Sequence, residues 1–217
     1  MKFDTSDMHA ALMHELKNNL GQLTMTLDGM PVLGIPEHDR KVDDARLICQ
    51  RSVERLQEAL LIYKAADQTL HPFIDAYSPL DMLRELGDNA TSLARNRLTV
   101  ETLVGDQVPD LWFFDWNLVE LAMLNAIHNA LAYARSGIRI EADMQEGFLA
   151  FTIRDDSEGY PQQVLASAGE SVASGGKGSG LGLRFARLIA ELHENQGRNG
   201  TLRLYNDDGA VFSLLLP

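Results

Sequence analysis

Gly175-Gly176-Lys177-Gly178-Ser179-Gly180-Leu181-Gly182-Leu183 leads directly into an apolar, helix-forming stretch that runs to Glu194. Glycines in such a run let backbone N–H groups converge on phosphate, and the helix N-terminus adds positive potential. The run is not a Walker loop, because the Gly-Lys-Ser/Thr ending at the required spacing is absent. Upstream of it, Asp155-Asp156-Ser157-Glu158-Gly159 closes the apolar run Phe148–Arg154. A carboxylate at a strand end can accept from an exocyclic amine of a ligand, with Gly159 giving the ligand room, although an acidic turn reads the same way. Further upstream, Asn125-Ala126-Ile127-His128-Asn129 places two amides four residues apart, on one helix face. Amides are poor mid-helix residues, so the pair calls for a reason, and an amide oxygen is a good hard ligand for Mg²⁺. A pair bonded to solvent or to itself is the plainer alternative.

The N-terminal region has a different grammar. Leu12, Leu16, Leu20, Leu23 and Leu27 recur at helical spacing. The stretch from Gly29 to Pro36 breaks that helix with two glycines and two prolines, and a second helix is expected from Lys41 to Ala66. Its inner side would carry Val42, Ala45, Ile48, Val53, Leu56, Leu60 and Tyr63. A hairpin of two helices buries one face of each and cannot close a core, so it is expected to pair with a second copy as a dimeric four-helix bundle. On the first helix, His14-Glu15-Leu16-Lys17-Asn18 sets His14 about 200° from Leu16 and roughly 40° from Asn18, opposite the apolar stripe. A neutral imidazole beside a carboxylate is a competent nucleophile. A solvated surface histidine fits the same pattern.

Taken in order, these four stretches resemble the motifs of bacterial sensor histidine kinases. His14 to Asn18 is similar to their phosphoacceptor box, Asn125 to Asn129 to their N box, and Asp155 to Gly159 and Gly178 to Leu183 to their two glycine boxes. The resemblance implies a dimerisation and phosphotransfer hairpin over residues 1–68, a linker over 69–78, and an α+β two-layer sandwich of the Bergerat type over 79–217. It implies ATP and Mg²⁺ as cofactors, with His14 accepting the γ-phosphoryl group, Glu15 as its acid/base partner and Asn18 orienting the attacking group. Asn129 would hold the metal with Asn125 nearby, and Asp155 and Gly159 would read adenine. Lys177, Gly178, Gly180, Leu181 and Gly182 would flank the phosphates. ATP-hydrolysing relatives of the wider superfamily carry a glutamate at the place of Asn125. An amide there cannot serve as a base, which favours phosphorylation of His14 over hydrolysis. The implied partner is a response-regulator receiver domain, reached through a homodimer. With the hairpin beginning almost at Met1, the expectation is that a separate sensory or regulatory protein supplies the input or that the chain is a transmitter fragment of a longer polypeptide.

The sequence also departs from the family. Asn19 replaces a helix-bending proline, Ala132 a basic residue after the N box, and Ser157 a glycine. Only 18 residues separate Gly159 from Gly178, and they hold a single cation, Lys177. Each such loss weakens nucleotide binding by about 1 kcal/mol. The alternative function is therefore a histidine phosphotransferase or response-regulator phosphatase that binds ATP poorly.

Composition agrees with either reading. Of 217 residues, 31 are acidic and 19 basic, giving a formal charge of −12, which argues against nucleic acid as a partner. The single cysteine, Cys49, excludes an internal disulfide. No run of about 18 apolar residues occurs and the first residues carry no export signal, so a cytoplasmic protein without membrane insertion is expected.

Overall fold

The computed structural model describes residues 5–31, 33–94, 97–166 and 181–217. The chain divides into two compact units, Met1–Leu70 and His71–Pro217. In the first, α1 (Thr5–Asp28) and α2 (Pro36–Ala66) pack as a hairpin. Helix α1 continues unbroken through Asn19. Helix α2 starts five residues earlier than periodicity alone predicts, with Pro36 in its first turn, where a proline removes no needed donor. Arg46 of α2 ties the hairpin together. Its guanidinium donates to the Leu27 carbonyl at 2.6 and 3.0 Å and lies 3.3 Å from the Asp28 carboxylate, satisfying carbonyls that α1 leaves open at its end. Ile48, expected on the inner side of α2, is exposed, whereas its neighbour Cys49 is buried. Adjacent helical residues point about 100° apart, and here Cys49 takes the buried direction.

The second unit contains β1 (Asp75–Tyr77), α3 (Pro79–Ala94), β2 (Thr99–Val104), β3 (Trp112–Phe114), α4 (Trp116–Tyr133), β4 (Gly137–Gln145), β5 (Phe148–Asp155), α5 (Gln162–Ala166), α6 (Leu181–Leu192), β6 (Glu194–Asn195), β7 (Arg198–Asn199), β8 (Thr201–Asn206) and β9 (Ala210–Leu216). The main sheet has the order β2-β4-β5-β9-β8, antiparallel except for the β2–β4 pair. Helices α3, α4 and α6 pack on one face of it. That face is built from Ile140, Ile153 and Phe212 in one row and Ala142, Phe151 and Leu214 in the next, all buried. Each large side chain so buried contributes about 1.5–3 kcal/mol.

Among the described residues the opposite face is covered by its own long side chains. Arg154, Val211 and Tyr205 occupy adjacent positions across β5, β9 and β8. Arg154 reaches over Val211 to the Tyr205 hydroxyl at 3.2 Å and to Asp207 at 2.9 Å, and Val211 is fully buried beneath this bridge. One row along, the hydroxyls of Thr152 and Ser213 bond to each other at 2.8 Å.

The long helix within Trp112 to Ala134 is α4, which begins only at Trp116: Trp112–Phe114 is a strand, and Asp115 caps the helix by accepting the Leu118 N–H at 3.0 Å. Three consecutive aromatic or bulky residues favour strand, and Phe114 is buried against Tyr77, Trp116 and Phe151 at centroid distances of 5.6, 6.2 and 6.0 Å. Its pairing partner is Asp75–Tyr77, which lies within the stretch 69–78 read as a linker, so that stretch contributes a strand to the second unit. The helix expected to run to Glu194 stops at Leu192, where the short β6–β7 hairpin begins.

Candidate nucleotide site

Helix α4 holds the parts of the site together. Asn125 and Asn129 project from the same side, and the Asn129 Nδ2 donates to the Asn125 Oδ1 at 3.2 Å. Asn125 is half-buried and Asn129 exposed. The bond uses a nitrogen of Asn129 and leaves its Oδ1 as the atom available to a hard cation. A single amide oxygen is a sparse ligand set, and this fits Mg²⁺, which keeps most of its ligands as water and phosphate. Helix α6 starts against the same amide: a Cβ on Gly182 would run into the Asn125 side chain, with Cγ and Nδ2 both at 2.8 Å. The glycine at 182 thus leaves the Asn125 amide its room beside the first turn of α6. Leu181 is half-buried at the start of that turn.

The end of β5 is tied to the end of α4 by Asp156 rather than by Asp155. Asp156 accepts the Arg135 N–H at 2.7 Å, the Ser136 N–H at 2.8 Å and the Ser136 hydroxyl at 2.5 Å. The Ser136 hydroxyl, with the amides of Arg135, Ser136 and Gly137, holds the Asp156 carboxyl down to about 2. A carboxyl held below its ordinary value stabilises the fold fully above pH 4 and loses that contribution as pH falls towards 2. Asp156→Asn is therefore expected to cost about 1 kcal/mol at pH 7, allowing for solvent screening of an exposed site. In urea unfolding the gap to the parent should close between pH 4 and 2; a gap that stays constant would refute the clamp.

Asp155, by contrast, is engaged through one oxygen. Its Oδ1 accepts from the Ser157 N–H at 2.9 Å and the Ala210 N–H at 3.2 Å, and among the described residues its Oδ2 has no hydrogen-bond partner. The Ser157 hydroxyl turns back to accept the Gly159 N–H at 3.0 Å, so its extra atoms are spent inside the loop. Gly159 has φ +85°, a conformation that side chains disfavour. Next to it, burial pushes the Tyr160 phenol above its ordinary pKa, and the Asp155 carboxylate pushes the same way.

The structure thus brings Asn125, Asn129, Leu181 and Gly182 to one place, and places Asp155 and Gly159 on a single loop tied to α4 through Asp156. Lys177, Gly178 and Gly180 lie outside the described residues. Position 14 lies on α1 in the other unit, with its side chain outside the described residues, while Glu15 and Asn18 are exposed on the same helix. Sequence reasoning missed Asp156, Tyr160 and Asn206. Asp156 adjoins a carboxylate of the same type, and only the fold shows which of the two bonds to the turn at Arg135 and Ser136.

Residues 115–217 match the family described as histidine kinase-, DNA gyrase B-, and HSP90-like ATPase. The chain is 26% identical to a probable sensor histidine kinase HK of Mycobacterium tuberculosis, over 77% of this chain and 44% of that protein. It is also 26% identical to the sensor protein CreC of Escherichia coli, over 95% of this chain and 44% of that one. It therefore spans under half the length of these two relatives. Among solved structures, full-length ShkA in complex with AMPPNP superposes with a TM-score of 0.71 at 19% identity, over 97% of this chain and 45% of that one. The histidine kinase AdeS of Acinetobacter baumannii gives 0.62 at 16% identity, over 90% and 91%. Among the described residues no helix is long and apolar enough to cross a membrane. Residues 115–217 thus resemble the histidine kinase-, DNA gyrase B- and HSP90-like ATPases, and the fold of the chain is similar to that of the histidine kinase structures on which it superposes.

Proposed function

We propose that the chain is an ATP-dependent protein histidine kinase core that phosphorylates His14 and passes the phosphoryl group to an aspartate of a response-regulator receiver domain. The observation that carries this reading is the contact between Asn125 and Gly182, which joins the amide pair of α4 to the first turn of α6. Bound ATP with Mg²⁺ supplies the phosphoryl group and neutralises its charge. Asn129 holds the cation through its amide oxygen, and Asp155 accepts the adenine amino group on Oδ2. Leu181 and Gly182 present the N-terminus of α6 to the phosphates, together with Lys177, Gly178 and Gly180. In the transfer, an imidazole nitrogen of His14 forms the N–P bond as the bond to the leaving phosphate oxygen breaks. Glu15 takes the ring proton and Asn18 orients the attacking group.

The hairpin acts as a homodimer in this reading. Leu16, Leu23 and Ile48 are 42%, 47% and 64% exposed, an apolar surface that a second copy would cover. Incubation with Mg-ATP labelled at the γ-phosphate should give an acid-labile, base-stable label that is lost in His14→Ala. Absence of label, with or without receiver domains, would overturn the kinase reading. A chain that fails to bind ATP yet strips phosphate from a receiver would establish the phosphatase alternative in its place.

A further inference from the structure

Asn206 is the last residue of β8, and its side chain imitates a paired strand. Its Oδ1 accepts the Tyr160 N–H at 2.7 Å, and its Nδ2 donates to the Tyr160 carbonyl at 3.0 Å, across 46 residues of sequence. The amide lies flat over Gly159, where an added Cβ would sit 2.6–2.7 Å from its Cγ, Nδ2 and Oδ1. Four residues on, the Ala210 N–H donates to the Asp155 Oδ1 at 3.2 Å. The β8–β9 hairpin therefore grips the Asp155–Tyr160 loop at both ends, at Asp155 through Ala210 and at Tyr160 through Asn206. Between those points the loop closes on itself through Ser157.

We propose that Asn206 is a positioning residue for adenine recognition: its amide latches Tyr160 and so fixes the loop that aims the Asp155 carboxylate. The role rests on the reading of this unit as an ATP-binding domain. Asn206 is exposed and Gly159 and Tyr160 are only half-buried, so releasing the latch uncovers no core. It frees a loop whose value lies in its preorganisation. Loss of the latch is thus expected to appear in nucleotide affinity and base selectivity much more than in stability.

The test compares the parent chain with Asn206→Ala and Asn206→Asp. It uses isothermal titration with adenine and guanine triphosphate analogues, thermal unfolding, and hydrogen exchange of the peptide carrying Tyr160. Asn206→Ala should bind the adenine analogue about tenfold more weakly, the scale of one to two lost hydrogen bonds, and its preference for adenine over guanine should narrow. Its Tm should stay within about 2 °C of the parent's. Exchange at Tyr160 should accelerate in Asn206→Ala and remain slow in Asn206→Asp, which keeps the acceptor for that N–H. Unchanged affinity and selectivity in Asn206→Ala, with the parent binding the adenine analogue, would overturn the latch alone. So would equal loss for both bases accompanied by a large fall in Tm. A parent that binds neither analogue would overturn the ATP-binding reading, and the latch with it.

Discussion

Replacing Gly182 with alanine is expected to weaken binding of an adenine nucleotide by about 2 kcal/mol, roughly 30-fold, while leaving thermal stability unchanged or slightly raised. The direction of each effect follows from what the new methyl group meets. Its nearest neighbours are all atoms of the Asn125 amide, the mobile end of a side chain, and no backbone atom stands among them. The fold therefore yields at Asn125 and not at the helix packing. Rotation of that amide breaks its bond with Asn129 and releases the oxygen that would face the cation. Meanwhile alanine is favoured over glycine within a helix by about 1 kcal/mol, which offsets the local crowding. Titration of parent and variant with a non-hydrolysable ATP analogue, beside a thermal melt of each, checks the split. A variant that loses stability in step with affinity would show that residue 182 serves packing alone.

This separation of site from scaffold explains how much the sequence revealed. The amide pair and the Asp155 loop are local sequence patterns, and the structure places both in the second unit, while most of the glycine run lies outside the described residues. Strand β5 was equally plain, because the apolar run Phe148–Arg154 is a short-range signal. What stayed hidden depends on partners far away in the chain. Asp75–Tyr77 reads as part of a linker until Trp112–Phe114 is there to pair with it. Asp156 and Asp155 are indistinguishable until the turn at Arg135 and Ser136 claims one of them. Asn206 carries no meaning until Tyr160 lies beside it. Tertiary contact decided each of these, and a single sequence holds no trace of such contacts.

The same dependence on distant partners makes His193 the residue whose loss should most damage the second unit. It is 2% exposed, and both ring nitrogens are committed. Nδ1 lies 2.6 Å from the Ile189 carbonyl and can only donate to it. Nε2 lies 2.9 Å from the Asp115 N–H and must therefore accept. The ring is thus the neutral Nδ1–H tautomer. Asp115, held in place by this bond, caps α4 through Leu118 and accepts the Phe73 N–H at 2.7 Å through its other oxygen. One imidazole joins the end of α6, the start of α4 and the chain ahead of β1. His193→Ala removes two bonds, strands the Asp115 N–H and leaves a cavity, at a cost of about 3 kcal/mol. Protonation does part of the same damage, because a proton on Nε2 sets donor against donor at Asp115. Burial holds the His193 pKa below its ordinary 6.5, outweighing the opposing pull of the Ile189 carbonyl and the Asp115 charge. The unfolded chain then binds the proton more readily than the native one, so stability is complete above pH 6.5 and declines as pH falls below it. Chemical unfolding at pH 7.5 and pH 5.5 should show the parent losing stability on acidification, and His193→Gln, weaker at pH 7.5, losing distinctly less. An equal acid loss in parent and variant would place the titrating group elsewhere, and a His193→Ala protein as stable as the parent would remove the ring from its place between the helices.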